Sequence, residues 1–184
     1  GTRTKAYLDG DEWVINGEKC WITNAGYARQ VVVTAVTGQD ERGKNIITAI
    51  IVPTDTPGVT IRSDYQKMGV RASNTCEIVL ENVRVPKENV LGDEKKGFGQ
   101  FLSTLDGGRI SIAALSVGIA QSAFEKALQY SKERVQFGKS ISKLQAIQFK
   151  LADMAMEIEL ARTMVQKAAW LKDHGKPFKK EAAY

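Results

Sequence analysis

Arg134, Phe137 and Gln145 place a cation, an aromatic ring and an amide around one helix junction, in the run Arg134-Val135-Gln136-Phe137-Gly138 and just beyond it. Those side chains suit a nucleotide cofactor: a fixed guanidinium for phosphate, a flat face for a base, and an amide for ribose or phosphate oxygens. They have a plainer reading as well, because an arginine in a helix's last turn offsets the dipole and Phe-Gly can simply end the helix. A second group is Trp21-Ile22-Thr23-Asn24 on a strand. Its tryptophan, alternating with Cys20 and Ile22, could as well be a buried core residue, since aromatics dominate buried faces. A third is Asp106-Gly107-Gly108-Arg109, whose two charges sit three apart on a helix and could form an ordinary ion pair.

Two kinds of element must position these groups. Before residue 97, short β-rich runs at 5–9, 12–16, 19–23, 30–37, 46–52, 60–62 and 75–80 alternate with turn signals such as Asn16-Gly17 and Pro57-Gly58. Even spacing with no helical period predicts an antiparallel barrel or sandwich. After residue 97 the punctuation stops. A helix is predicted over about 98–134, with Gly107-Gly108 lowering its propensity mid-run. A second follows the seam Leu144, Ile147, Leu151, Met154, Ile158, Ala161, Val165, Ala168, whose steps alternate three and four. Ser142 is placed to cap this helix, and Gly175-Lys176-Pro177 to end it. The fold class is therefore multi-domain α+β, an antiparallel β-barrel or sandwich over 1–92 followed by helices of an α-helical up-down bundle over 97–184.

Composition narrows the function. The 184 residues are 43% hydrophobic, enough for a core, and carry a formal charge of +5. That charge suits acidic ligands such as a CoA tail or a diphosphate, and equally a solvated surface. No arginine–aromatic interleaving suggests nucleic acid, and no run is apolar enough to predict membrane insertion. His174 is the only histidine, which excludes a histidine-based metal centre or a histidine triad. Cys20 and Cys76 are isolated and read as reduced structural thiols. Asp93-Glu94-Lys95-Lys96 reads as a solvated linker.

Taken together, Trp21-Ile22-Thr23-Asn24, Met68-Gly69-Val70-Arg71-Ala72-Ser73, Asp106-Gly107-Gly108-Arg109-Ile110 and the stretch from Arg134 to Gln145 resemble, in order and separation, four motifs of the acyl-CoA dehydrogenase family of flavoproteins. The resemblance is nearest to the short-chain, butyryl-CoA dehydrogenase-like members. It implies FAD as cofactor, with Trp21 beside the flavin ring, Ile22 next to it, and the Thr23 hydroxyl donating toward flavin N5. It implies an adenine and pyrophosphate clamp at Arg134, Val135, Gln136, Phe137, Leu144 and Gln145, in which Val135, Gln136 and Leu144 act mostly through backbone. It implies that Asp106, Gly107, Gly108 and Arg109 line the acyl-CoA channel, where a charged pair can position the polar pantetheine arm.

The implied reaction is α,β-dehydrogenation of an acyl-CoA thioester, part of fatty acid β-oxidation, in which a carboxylate takes the α-proton and flavin N5 takes the β-hydride. Members of the family begin with a helical domain and end with further helices, so the resemblance makes this chain a middle section. Neither Asp106 nor Glu133 matches the family's base, a glutamate expected beyond residue 184, and the section alone is expected to be inactive. Further expectations are an electron-transferring flavoprotein as redox partner and a homo-oligomer, a dimer of dimers, in which the bundle clamp grips a neighbour's FAD. The setting would be cytoplasmic in a bacterium or the mitochondrial matrix in a eukaryote. Two other readings remain open: an acyl-CoA oxidase or related flavin oxidase or monooxygenase of the same fold, and a non-catalytic module whose helices only associate.

Overall fold

The computed structural model describes residues 2–63 and 65–184 and separates into two compact units, 1–101 and 102–184. The first unit is built on strands β1 (Lys5–Asp9), β2 (Glu12–Thr23), β3 (Gln30–Gln39), β4 (Asn45–Pro53), β5 (Val59–Arg62) and β6 (Thr75–Pro86). They form one six-stranded sheet in the order β4-β3-β1-β2-β6-β5. Ile50 and Val52 of β4 lie at one end of that order, and Val59 and Ile61 of β5 at the other. All four join one cluster with Trp13, Ile15, Val33, Ile78, Leu80, Val83 and Val85. Strands at opposite ends of a sheet can share a core only if the sheet curls over on itself, as in a barrel or sandwich.

Two expectations change here. The pairing is not wholly antiparallel: β1 and β3 run parallel at Lys5↔Val36, where the Val36 N–H donates to the Thr4 carbonyl at 2.8 Å. Asn16-Gly17 is not a turn either. The runs 12–16 and 19–23 are one strand, and Asn16-Gly17 marks a register shift against β6. There Asn82, at φ +50°, donates its N–H to Asn16 Oδ1 at 2.8 Å. Gly17 has φ +143°, and a Cβ on it would stand 2.7 Å from Thr4 Cα. That close approach needs glycine, the same residue that suggested a turn. Strand β6 accordingly runs past the predicted 75–80 to Pro86.

Among the described residues before α1, the only helical element is one 3-10 turn, Lys87–Asn89. Helix α1 (Gly97–Glu133) is unbroken through Gly107-Gly108, and α2 (Gln145–Asp173) follows. Arg109, Ile110 and Val117 of α1 share a cleft with Ala168, Val165 and Ala161 of α2. Arg162 Nη2 donates to Gln121 Oε1 at 2.8 Å. Early α1 thus meets late α2, and the two helices run antiparallel. The Gly175 N–H bonds the Lys172 carbonyl at 3.0 Å and the Lys176 N–H bonds the Leu171 carbonyl at 2.9 Å, a Schellman ending with Pro177 directly after it. Ser142 is not the cap of α2. It lies in a 3-10 turn, Ile141–Lys143, with its hydroxyl 3.0 Å from that of Ser140, and Leu144 holds the N-cap position without a side-chain bond.

Candidate functional site

The sheet unit presents its candidate residues at the end of β2. Lys19 pairs with Ile78 and Ile22 with Cys76, so Cys20 and Trp21 together oppose Glu77 alone. This bulge ends the simple alternation of the strand. Trp21 takes φ +57° and is 75% exposed, so the core reading of this tryptophan fails. Ile22 turns inward against the core, while Thr23 is exposed opposite Thr75. Asn24 then adopts φ +62°, so Thr23 is closely bracketed by two left-handed residues. For a tryptophan that conformation costs on the order of 1–2 kcal/mol and must be held by its surroundings.

Several residues that the sequence did not mark do the holding. The Asn74 carbonyl accepts the Asn24 N–H at 3.1 Å. Asn74 Oδ1 accepts the Gly26 N–H at 3.1 Å, and Asn74 Nδ2 donates to Ser63 Oγ at 3.1 Å. The Tyr65 hydroxyl meets the Cys20 thiol and the Trp21 backbone. Burial, then the Cys20 bond and the nearby Glu77, push its pKa above the ordinary tyrosine value, and the Trp21 backbone opposes them. Lys67 Nζ donates to the Val70 carbonyl at 2.7 Å, to the Ser73 carbonyl, and to Thr75 Oγ1 at 3.0 Å. Asn74 follows the loop motif directly and could have been suspected from it. Nothing in the type or spacing of Lys67 or Tyr65 signals their roles.

In the helical unit, Asp106 is buried and accepts a bond from Arg109 Nη1 at 3.0 Å, with half of the Arg109 side chain exposed. A Cβ on Gly107 would lie 3.1 Å from Lys172 Nζ, whereas Gly108 faces open space. Arg109 also lines an apolar cleft of about 230 Å³ between α1 and α2, closed by Glu181, Ala182 and Tyr184. A carboxylate buried beside one half-exposed guanidinium is more than a loose surface pair, because the buried partner depends on its cation.

The junction between the helices is a small hairpin. Strands β7 (Val135–Gln136) and β8 (Lys139–Ser140) pair around Phe137-Gly138, whose φ values are +54° and +74°. Positive φ at both central residues marks a type I′ turn. It leaves Phe137 at the tip, 88% exposed. Arg134 stays tied to the end of α1 through its N–H to the Tyr130 carbonyl at 2.9 Å, and its carbonyl accepts the Ile141 N–H at 2.9 Å. Its exposed guanidinium has no partner among the described residues. Val135 and Gln136 are exposed, Leu144 is half-buried, and Gln145 opens α2 with its side chain exposed. Arg134, Val135, Gln136 and Phe137 therefore sit on one hairpin, with Leu144 and Gln145 following it.

Comparison with known proteins gives matches over both units. Residues 1–83 match the family model "Acyl-CoA dehydrogenase, middle domain", and residues 95–184 match "Acyl-CoA dehydrogenase, C-terminal domain". The chain is 74% identical over 184 residues to "Probable acyl-CoA dehydrogenase YngJ" of Bacillus subtilis, covering 100% of this chain and 48% of that protein. It is 49% identical over 180 residues to the mitochondrial short-chain specific acyl-CoA dehydrogenase of Bos taurus, covering 98% and 43%. The chain thus spans about half the length of the curated relatives it matches. Among solved structures, butyryl-CoA dehydrogenase from Megasphaera elsdenii superposes with a TM-score of 0.93 at 49% identity, over 100% of this chain and 48% of that one. A chain from the structure described as the electron transferring flavoprotein of Acidaminococcus fermentans gives 0.91 at 47% identity, over 100% and 48%. The prolyl acyl carrier protein oxidase AnaB gives 0.92 at 32%, over 98% and 47%. With the sheet unit answering to one domain model and the helical unit to the other, the chain belongs to the acyl-CoA dehydrogenase family.

Proposed function

We propose that the protein, at the full length of its relatives, is an FAD-dependent acyl-CoA dehydrogenase acting on short-chain acyl-CoA thioesters. The observation that carries this is the end of β2, where the bulge exposes Trp21 and two left-handed residues bracket an exposed Thr23 hydroxyl. A strand end that keeps a left-handed, exposed tryptophan serves packing poorly and a flat ligand well. The residues present fit FAD. Trp21 and Phe137 offer exposed rings, Thr23 offers a hydroxyl donor, and Arg134 offers a guanidinium with no partner among the described residues.

Bound FAD would supply the acceptor for the β-hydride. Thr23 would direct its O–H at the acceptor atom, stabilising the negative charge that arrives with the hydride. Trp21 would cover the ring and exclude water, and Arg134 would hold phosphate through charge-assisted bonds. Asp106 and Arg109 would orient the polar arm of the thioester, with Gly108 leaving room for it. The α-proton passes to a carboxylate, which we assign to a glutamate beyond residue 184. As the α C–H bond gives its proton and the β C–H bond its hydride, the carbon–carbon double bond forms. We assign 1–92 and 97–184 as the two domains that carry these groups.

Short-chain preference rests on the Bos taurus and Megasphaera relatives, and an electron-transferring flavoprotein as redox partner on the Acidaminococcus structure. The relatives are bacterial and mitochondrial, which supports the cytoplasm or the mitochondrial matrix, and no helix among the described residues is long and apolar enough to cross a membrane. The test is to purify the full-length protein, record its flavin spectrum, and add butyryl-CoA without oxygen. A bound flavin that bleaches supports the reading, and slow reoxidation on admitting oxygen separates a dehydrogenase from an oxidase. A protein without flavin, or one whose flavin stays oxidised, overturns it.

A further inference from the structure

Beside the Thr23–Thr75 rung, the loop from Lys67 to Ser73 is held in an unusual way. Val70 has φ +49°, a region that β-branched residues avoid because Cβ crowds the backbone carbonyl. Its side chain is 81% exposed, and the neighbouring Met68 is fully exposed, so apolar packing does not hold the turn in place. Two polar contacts to one atom do so. The Val70 carbonyl accepts the Ser73 N–H at 3.0 Å and Lys67 Nζ at 2.7 Å. The same ammonium reaches the Ser73 carbonyl and Thr75 Oγ1, so its three protons tie this loop to the first residue of β6. Thr75 is the direct cross-strand neighbour of Thr23.

A lysine that serves only solubility would leave its head in water. This one crosses the mouth of a strained loop and ends on the hydroxyl beside the residue assigned to hydride transfer. We propose that Lys67 is a positioning residue for that reaction, fixing the Val70 turn and the Thr75 hydroxyl so that the Thr23 end of β2 keeps one geometry. Lys67 acts through Thr75 and the loop backbone and touches no reacting atom. Because Thr75 Oγ1 accepts from the ammonium, its own proton is directed elsewhere, and an ammonium donor also strengthens that hydroxyl as a donor in turn.

This inference rests on the flavin reading above, and one experiment separates the two. Full-length wild type, Lys67→Met and Lys67→Arg are compared for flavin content, thermal midpoint, and steady-state kcat and KM with butyryl-CoA. Lys67→Met should retain flavin with KM little changed, and lower kcat on the order of tenfold, as expected when an interaction needed mainly in the transition state is loosened. Lys67→Arg, which keeps charge and donors, should recover most of that loss. If Lys67→Met does not fold, Thr75→Val removes only the ammonium's side-chain acceptor and should show the same split. Wild type that carries no reducible flavin overturns both readings. Wild type that is active while Lys67→Met, or in its place Thr75→Val, keeps full kcat overturns the role of Lys67 alone. So does a kcat loss that the arginine fails to recover.

Discussion

Thr23 stands at a strand end with Trp21 and Asn24 both left-handed on either side, while Ile22 between Trp21 and Thr23 points into the core. The hydroxyl is thus carried on a segment anchored from below by Ile22 and from the side by Asn74, rather than on a mobile loop. A donor fixed before the charge arrives needs no reorganisation at the moment of reaction. In the full-length protein, Thr23→Val is expected to leave FAD bound and to slow flavin reduction by butyryl-CoA by on the order of 3 kcal/mol, a hundredfold or more. Stopped-flow bleaching measures it, and an unchanged rate would make Thr23 an ordinary strand residue. The sequence carried this site only partly. The Trp-Ile-Thr-Asn motif drew attention to these residues, yet alternation alone would have buried Trp21. A bulge shifts alternation by one position, and no residue type announces a bulge formed by Cys20 and Trp21.

The hairpin between α1 and α2 shows a similar limit at the next scale. Its strands are two residues each, too short for any period, so residue types alone suggest a helix junction and a serine cap where the chain makes a tight turn and a 3-10 turn. By contrast the long seam of α2 was legible because a 29-residue helix repeats its pattern many times. The hairpin fixes Arg134 from both sides, through Tyr130 and Ile141, and holds Phe137 out at its tip. The Arg134 backbone is anchored while its guanidinium stays exposed and without a partner among the described residues, so the planar fork is open to a phosphate. Arg134→Ala should therefore weaken FAD binding by roughly 1.5–3 kcal/mol, the worth of a charge-assisted bond, with helix content unchanged. Flavin release monitored by fluorescence, alongside far-ultraviolet circular dichroism, reads both quantities. Full flavin retention in the mutant would move the phosphate contact elsewhere.

At the scale of the whole molecule, the two units differ in how complete they are. The sheet unit encloses a shared core, but among the described residues of 102–184 only Asp106, Ser131 and Ala168 are buried. The predicted seam accounts for one face of α2, with Ile147, Leu151 and Ile158 half-buried. A second set was not predicted: Ile112, Leu115 and Ile119 on α1, and Phe149, Met156 and Leu160 on α2, each 60–64% exposed apart from Met156 at 56%. Helical spacing puts each trio along one face, and contiguous apolar faces of this extent mark association surfaces. Further helices of the same chain, a second copy, or both would cover them, and a dimer of dimers is the assembly that the family resemblance leads us to expect. If the clamp at Arg134 and Phe137 grips the FAD of a neighbouring copy, cofactor retention depends on assembly, and mass action makes it depend on concentration. The full-length protein should scatter light as a tetramer at micromolar concentration and lose both mass and flavin together on dilution, with added FAD shifting the dissociation to lower concentration. The 184-residue chain by itself should self-associate through its uncovered helices. A full-length monomer that keeps stoichiometric FAD at every dilution would show that each copy completes its own site.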